Sequence, residues 1–107
     1  MSQTLIPYLT VGDSHRALDL YAEVFGAERR GELFEMDDGR IGHAEMTIDG
    51  QIFHLADAFS EMNLRSPGEL GANSVSIVIN VDDCDAVYAH AIADPWGHRW
   101  APTGAEI

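Results

Sequence analysis

Lysine is absent from this sequence and cysteine occurs once, and each scarcity excludes a class of chemistry. Without lysine, the chain has no side chain for Schiff-base catalysis. The lone Cys84 excludes an internal disulfide and any multi-cysteine metal site, which is typical of proteins from a reducing cytoplasm. No apolar run is as long as a membrane span, and the N-terminus lacks the pattern of a signal peptide. We therefore predict a cytoplasmic protein.

Basic residues are also few: the chain has six arginines and 18 acidic residues, and its net charge is -12. A field of this sign repels nucleic acid and anionic membranes and attracts cations. We therefore expect neither nucleic acid nor a membrane as a partner. The charge either only keeps the protein in solution or favours a cationic small-molecule ligand. With 107 residues, 46% of them apolar, the chain is long enough for one domain, completed alone or by a partner chain.

The chain starts the same strand-to-helix unit twice. Residues 5–11 have an extended apolar pattern, and Asp13 and Gly26 are suited to begin and end the helix that follows. One face of that helix repeats apolar residues at helical spacing. These residues are Leu18, Tyr21, Ala22 and Phe25. Residues 75–81 repeat the apolar segment, and the capping pair Asp82-Asp83 after them predicts a second helix.

The two units are unequal in length. After its helix, the first unit continues through three predicted strands, whereas the second has room for one further short strand. The second unit therefore lacks about two strands. Either this half is truncated or residues are missing between Ala93 and Asp94, and we favour the second explanation. The single domain is divided into module one (1–57), a linker (58–74) and module two (75–107). The three strands of module one are predicted at 28–35, 41–48 and 51–56.

Asp49-Gly50 is the strongest local signal in the sequence, because a type I′ hairpin turn needs positive φ at both central residues. A two-residue loop at this place sets Glu45 opposite His54 on the neighbouring strand. Strand alternation then places His43 and Ala56 on the same face as this pair. The other face is apolar and is predicted to pack on the helix. It consists of Ala44, Met46, Phe53 and Leu55.

Two imidazoles and one carboxylate on one face permit three interpretations. His54, His43 and Glu45 have the donor types of a non-haem iron or zinc site. Glu45 and His54 alone are candidates for a catalytic general-base pair, since a neighbouring carboxylate increases the basicity of an imidazole and fixes its tautomer. The third interpretation is a polar pair that lines a ligand pocket or a dimer interface without chemistry. The sequence leaves all three open.

Other side chains alternate onto the predicted face of this cluster and are candidates for ligand binding. Tyr8 can stack on a flat ligand, and Arg99 can hold a carboxylate or phosphonate through two hydrogen bonds. Trp100 alternates to the opposite, core-facing side. The candidate binding residues are Tyr8, Thr10, Ser76, Asn80 and Arg99.

Four motifs resemble one known superfamily in their order and spacing. They are Val11-Gly12-Asp13, Phe25-Gly26-Ala27-Glu28, the stretch 38–46 with sequence DGRIGHAEM, and the stretch 94–100 with sequence DPWGHRW. Together they resemble the glyoxalase / bleomycin-resistance / extradiol-dioxygenase (vicinal oxygen chelate) superfamily, and within it the PhnB-like branch. The resemblance covers nearly the whole chain except the linker and the expected gap.

This resemblance implies an α+β fold in which paired βαβββ modules carry curled mixed sheets that form a cup. It also implies a homodimer, because the open edge of such a cup is buried when two chains associate. Metal-dependent members carry their ligands on the first and last strands of each module. The corresponding positions here are Ile6, His54, Ser76 and Ala101.

Of these four positions, only His54 carries a good metal ligand. The resemblance therefore implies a protein that binds a small molecule of cationic or aromatic character in the cup. In this form it lacks the usual four metal ligands and binds no cofactor. The alternative is a metal-dependent lyase or dioxygenase that uses His54 with Glu45 and His43 and binds divalent Zn, Fe, Mn or Ni.

Overall fold

The computed structural model describes residues 2–81 and 95–103 of the chain. The predicted second helix and the junction between Ala93 and Asp94, where missing residues are expected, lie outside these residues. Within the described part, no helix is long and apolar enough to cross a membrane.

The first sheet is four-stranded, mixed and curled, and its strand order is β1-β4-β3-β2. All its pairings are antiparallel except that β1 pairs with β4 in parallel. The chain therefore has the α+β fold and the βαβββ arrangement that the sequence predicts for its first unit. The elements are β1 (Tyr8–Val11), α1 (Ser14–Phe25), β2 (Glu28–Glu35), β3 (Ile41–Ile48) and β4 (Gln51–Asp57).

Helix α1 begins and ends at the predicted caps. The Asp13 carboxylate accepts a hydrogen bond from the Arg16 backbone at 3.1 Å, and Gly26 closes the helix in the left-handed conformation with φ 68°. The predicted buried face is wrong at Ala22, which is exposed. The buried face also includes Ser14 and Ala17, and their angular positions around the helix axis leave Ala22 at its edge. The buried residues are Ser14, Ala17, Leu18 and Tyr21.

The hairpin between β3 and β4 has the predicted register. Asp49 and Gly50 both have positive φ, at 48° and 79°, and Glu45 lies opposite His54. The apolar face of the hairpin is buried in the core, as predicted, because α1 packs against it. Its members are Ala44, Met46, Phe53 and Leu55.

Residues 58–74 contain more structure than the linker that the sequence predicts. A 3-10 helix (Ser60–Met62) lies in a small loop, which two backbone hydrogen bonds between Phe59 and Leu64 close. A second short helix, α2 (Pro67–Leu70), follows. Proline in the first turn and glycine at the C-cap allow so short a helix in a segment whose composition is typical of a loop.

The second sheet has two described strands, β5 (Ser76–Asn80) and β6 (Arg99–Thr103), which pair in parallel. The first and last strands of the first sheet pair in the same way. Among the residues that the structure describes, the second sheet thus has counterparts of β1 and β4 and none of β2 and β3. This agrees with the shortage of strands that the sequence predicts.

Two tryptophans attach the second sheet to the core of the first. Trp100 on β6 is 2% exposed, and its ring centroid lies 4.4 Å from that of Phe25 and 5.3 Å from that of Tyr21. Trp96 precedes β6, is also buried, and accepts a hydrogen bond at its backbone oxygen from the Gly68 N–H at 2.8 Å. Core packing and a backbone contact therefore hold the second sheet in place.

Candidate functional site

His43, Glu45 and His54 meet on the face of the first sheet that points away from the core. Glu45 Oε2 lies 2.9 Å from His43 Nε2 and 3.7 Å from His54 Nε2. The two imidazole rings are 4.6 Å apart between their centroids. The structure thus brings together all three residues of the predicted cluster. It places the short hydrogen bond of Glu45 on His43, its neighbour along β3, and not on the cross-strand residue His54.

Arg30 on β2 is a fourth member of this cluster, which the sequence analysis did not identify. It lies opposite Glu45 in the β2–β3 pairing and forms an ion pair with Glu45 Oε1. The register of β2 shifts between Arg30 and Phe34, and Gly31 has φ 69° at this place. Counting back from the pair of Phe34 and His43 would set Glu32 opposite Glu45, and the shift of two residues sets Arg30 there instead.

Tyr8 connects the cluster to strand β1. Its hydroxyl lies 2.9 Å from His43 Nδ1 and 3.2 Å from the backbone oxygen of Gly42. Because the Glu45 carboxylate can only accept, His43 Nε2 carries the proton of their hydrogen bond. In the neutral imidazole, Nδ1 is then an acceptor, and it competes with the Gly42 oxygen, 0.3 Å farther away, for the single proton of the Tyr8 hydroxyl. When the hydroxyl donates to Nδ1, phenol, imidazole and carboxylate form one continuous chain of hydrogen bonds.

The surroundings keep Glu45 ionised and Tyr8 neutral. The hydrogen bond from His43, and after it the one from Arg30, lowers the pKa of Glu45 below its ordinary value. Partial burial raises the pKa of the Tyr8 phenol above its ordinary value. At neutral pH the cluster therefore offers a phenolic O–H and a carboxylate whose charge is matched by a guanidinium.

The same three donors can be tested for fit to a metal ion. One ligand atom from each of His43, Glu45 and His54 lies within 4.8 Å of the other two. Two ligands of one ion, at about 2.1 Å from it, are at most about 4.2 Å apart, so the side chains would have to close slightly. Arg30 holds one oxygen of Glu45, and the other oxygen faces the imidazoles. The cluster therefore fits a site with three protein ligands.

A cleft of about 550 Å³ opens beside this cluster, and Tyr8 lines it. Its walls are mainly aromatic rings, thioethers and a leucine side chain, several of them strongly exposed. A concave apolar site next to a few polar groups is the usual form of a small-molecule site. The apolar side chains that line it are Tyr8, Phe34, Met36, Phe59, Met62 and Leu64.

Arg40 attaches the loop of residues 58–64, which forms one wall of the cleft, to the first sheet. Its guanidinium lies 4.2 Å from the ring centroid of Phe59 and donates two hydrogen bonds to the Glu61 carboxylate, at 2.9 and 3.2 Å. It also donates to the Asp38 carboxylate at 2.8 Å. Hydrogen bonds from Arg40 lower the pKa values of both Asp38 and Glu61. The wall therefore depends on one arginine and two carboxylates.

The five predicted binding residues do not meet in one place. Tyr8 and Thr10 line the cleft. The other three are exposed on the second sheet and do not line it, although two of them pair across β5 and β6. These three are Ser76, Asn80 and Arg99.

Few of the four positions at which the resemblance implies metal ligands carry a suitable side chain. His54 has its predicted place, but its partner across β1 and β4 is Tyr8, whereas Ile6 precedes β1. In the second sheet, Ala101 lies opposite Val78, and neither side chain can bind a metal. The donors beside His54 therefore come from β3.

The sequence pattern does not predict most of this cleft, because its walls come from two segments whose composition is typical of a turn and a linker. Phe34 and Met36 lie where β2 runs into its turn, and Phe59, Met62 and Leu64 lie in the loop after β4. One signal was available. Large apolar residues continue through a segment that a linker would fill with small and polar ones.

Comparisons with known proteins agree with this architecture. The sequence profile described as the Glyoxalase/Bleomycin resistance protein/Dioxygenase superfamily matches residues 3–94. An uncharacterized protein of Mycobacterium bovis and one of Mycobacterium tuberculosis are each 30% identical over 122 residues. These alignments cover 91% of this chain and 80% and 71% of the two relatives. Because 122 aligned residues exceed the 107 of this chain, the relatives contain internal residues without a counterpart here.

Solved structures share the fold at low sequence identity. Protein PA1353 from Pseudomonas aeruginosa superposes with a TM-score of 0.75 at 16% identity, covering 95% of this chain and 97% of that one. A gene product from Arabidopsis thaliana gives 0.73 at 18% identity, with coverages of 96% and 99%. A PhnB protein from Bacillus cereus gives 0.67 at 20% identity, with coverages of 94% and 98%. The structural neighbours thus include the branch that the motifs indicate.

Proposed function

Since this chain belongs to the glyoxalase/bleomycin resistance protein/dioxygenase superfamily, we propose that its cleft binds a small molecule with an apolar or aromatic body. The observation that carries this proposal is the apolar cleft of about 550 Å³ beside the Tyr8–His43–Glu45 cluster. Phe34 is 63% exposed and Met62 is 67% exposed at its rim. Large apolar side chains held in water at one place are typical of a surface that a ligand covers.

The lining also supports a ligand of adaptable shape. Met36 and Met62 have flexible, polarizable side chains that fit many apolar surfaces. Phe34 and Tyr8 provide ring faces for stacking. The Tyr8 side chain also lines the cleft, and its hydroxyl can exchange a hydrogen bond with a neutral polar substituent of the ligand.

The neutral fluorescent probe N-phenyl-1-naphthylamine tests this function, because its emission rises in apolar surroundings. We expect saturable binding with one site per chain. The Phe34→Ala substitution should weaken it about tenfold, since it removes part of an aromatic wall worth roughly 1.5–3 kcal/mol when fully buried. Leu70→Ala is the matched control, because Leu70 is 62% exposed on α2 and does not line this cleft. Equal affinities of the two variants would contradict the assignment of the cleft.

The second candidate function is a metal-dependent lyase or dioxygenase, which the convergence of His43, Glu45 and His54 favours. These residues would hold a divalent Zn, Fe, Mn or Ni ion, which would supply Lewis-acid or redox chemistry. Without a metal, the chain from Glu45 through His43 to Tyr8 would serve as a general base, with His54 beside it.

Elemental analysis of the purified protein separates these possibilities. A metalloenzyme should carry about one ion per chain, and His54→Ala should lose it. His15→Ala is the control, because His15 is an exposed histidine on α1 away from the cluster. Metal content that is negligible, or that is equal in both variants, would reject the metal site.

We also infer that two copies of the chain associate. Val75 and Val78 are 68% and 55% exposed on or beside the second sheet. Within the described residues, β5 pairs on one side only, with β6. An unpaired strand edge next to exposed apolar residues is readily covered by a second chain. Light scattering after gel filtration should therefore give about twice the chain mass of 11.7 kDa, and a monomer at micromolar concentration would contradict this inference.

A further inference from the structure

Asp57 is a buried carboxylate that borders the cleft. The residue is 7% exposed and belongs to the cleft lining. Its Oδ1 accepts from the Ser14 backbone at 2.8 Å, and its Oδ2 accepts from the Ile41 backbone at 2.6 Å. Both donors are neutral N–H groups, and each carboxylate oxygen retains a further lone pair. Among the residues that the structure describes, no cationic side chain lies within ion-pair distance of Asp57.

The negative charge of Asp57 is only partly offset. Ser14 is the first residue of α1, so the carboxylate lies at a helix N-terminus, which carries about half of a positive charge. A buried carboxylate without a full countercharge is costly, and a bound cation would remove that cost. The two hydrogen bonds therefore give Asp57 a structural role. They do not neutralise its negative charge, which can still attract a cationic ligand.

The two ends of the site differ in charge. At the polar cluster, one carboxylate, Glu45, is matched by one guanidinium, Arg30. At the other end, Arg40 faces Asp38 and Glu61, and Asp57 adds a third carboxylate. Three carboxylates against one guanidinium leave an excess of two negative charges at that end.

Aromatic rings lie next to this excess charge. Phe59 lines the cleft, and the Arg40 guanidinium already lies over its ring, 4.2 Å from the centroid. Phe34 and Tyr8 line the same cleft, with 63% and 52% of their surface exposed. Ring faces attract organic cations, and this attraction grows when the cation leaves water.

We propose that the cleft selects small organic cations, in which an ammonium or amidinium group is attached to an apolar or aromatic body, with Asp57 as the principal counterion. This inference rests on the proposed function, since it names the class of ligand that the same cleft takes. The apolar body contacts the rings and thioethers. The positive group faces the end of the cleft that carries Asp57.

A matched pair of probes tests charge at constant shape. Phenyltrimethylammonium and tert-butylbenzene have the same outline, and only the first is charged. Both are titrated into protein carrying ¹³C-methyl methionine and followed by NMR. The methyl groups of Met36 and Met62 report on the cleft, and that of Met46, fully buried in the core, is the internal reference. We expect the cation to bind about tenfold more tightly than its neutral analogue.

Substitutions then locate the counterion. Asp57→Asn should abolish the preference for the cation, whereas Asp49→Asn makes the same change in net charge at the hairpin turn and should leave it unchanged. If Asp57→Asn does not fold, Glu61→Gln serves instead. Glu61 is exposed, and its substitution removes one of the excess charges, so the preference should fall about threefold.

The outcomes distinguish this inference from the function on which it rests. Equal binding of both probes at Met36 and Met62 would overturn the selection of cations and leave the binding function intact. Failure of both probes, together with failure of N-phenyl-1-naphthylamine, would overturn both. Equal losses in Asp57→Asn and Asp49→Asn would assign the preference to the overall charge of the chain and overturn the role of Asp57.

Discussion

The two sheets share one strand pairing and differ in what their side chains can do. When the segments starting at Leu5 and Val75 are aligned, Tyr8 corresponds to Val78. Tyr8 lies opposite His54 in the first sheet, whereas Val78 lies opposite Ala101 in the second. The parallel pairing is therefore a property of the fold, and the polar cluster is a property of the first sheet alone. The candidate polar cluster lies on this sheet, and the proposed ligand cleft opens beside it.

The largest expected effect comes from separating the two sheets. Trp100→Ala removes a ring that is 2% exposed and packs on Phe25 and Tyr21. We expect it to lower the free energy of unfolding by about 3–5 kcal/mol, measured by chemical denaturation. Leu5→Ala, at a side chain that is 97% exposed, should change it by less than about 0.5 kcal/mol. Similar values for both would show that the second sheet is not held by this packing.

A smaller effect is expected where the backbone of the turn before β6 touches helix α2. Gly97 has φ 88°, and a Cβ there would lie 2.6 Å from the Gly68 nitrogen. Gly39 also has φ 88°, but a Cβ there meets nothing within 4 Å. Gly39→Ala should therefore cost about 1 kcal/mol from backbone strain, and Gly97→Ala should cost more, about 2–4 kcal/mol. Equal losses of unfolding free energy in the two variants would mean that Gly68 and Gly97 can move apart without destabilising the fold.

The smallest predicted effect concerns pH and the polar cluster of the first sheet. The pKa of Glu45 is lower in the folded chain than in the unfolded chain, because His43 and Arg30 donate hydrogen bonds to it. Its ionised form therefore stabilises the fold above the ordinary pKa of glutamate, and this contribution is lost as the pH falls below about 5.

Unfolding measured against pH should therefore show a shallower acid loss in Glu45→Gln than in the parent chain. Glu32→Gln, an exposed residue on the same strand as Arg30, is the control and should follow the parent curve. A Glu45→Gln curve that coincides with the parent curve would remove Glu45 from the electrostatics of the site.

The parts of the fold that follow from neighbouring residues could be predicted from sequence. Asp49-Gly50 determined a turn with positive φ at both positions, and the turn set Glu45 opposite His54. The caps of α1 were equally local, since Asp13 and Gly26 act on the backbone beside them. These features need no knowledge of the rest of the chain.

The remainder of the site depends on contacts between distant segments. Arg30 lies opposite Glu45 because the register of β2 shifts by two residues between Arg30 and Phe34, which the sequence pattern does not reveal. Asp57 ends β4, and its role appears only when Ser14 and Ile41 donate to it from two other elements. The loop of residues 58–64 becomes a wall of the cleft because Arg40 holds it, and no local pattern encodes that contact.

The central claim is that the first sheet carries a cleft for a small molecule, and methyl NMR with N-phenyl-1-naphthylamine tests it most directly. The two methionines of the cleft, Met36 and Met62, should shift together and saturate with one binding constant, while the core residue Met46 stays in place. Unchanged Met36 and Met62 signals at saturating probe, or shifts confined to Met46, would contradict it.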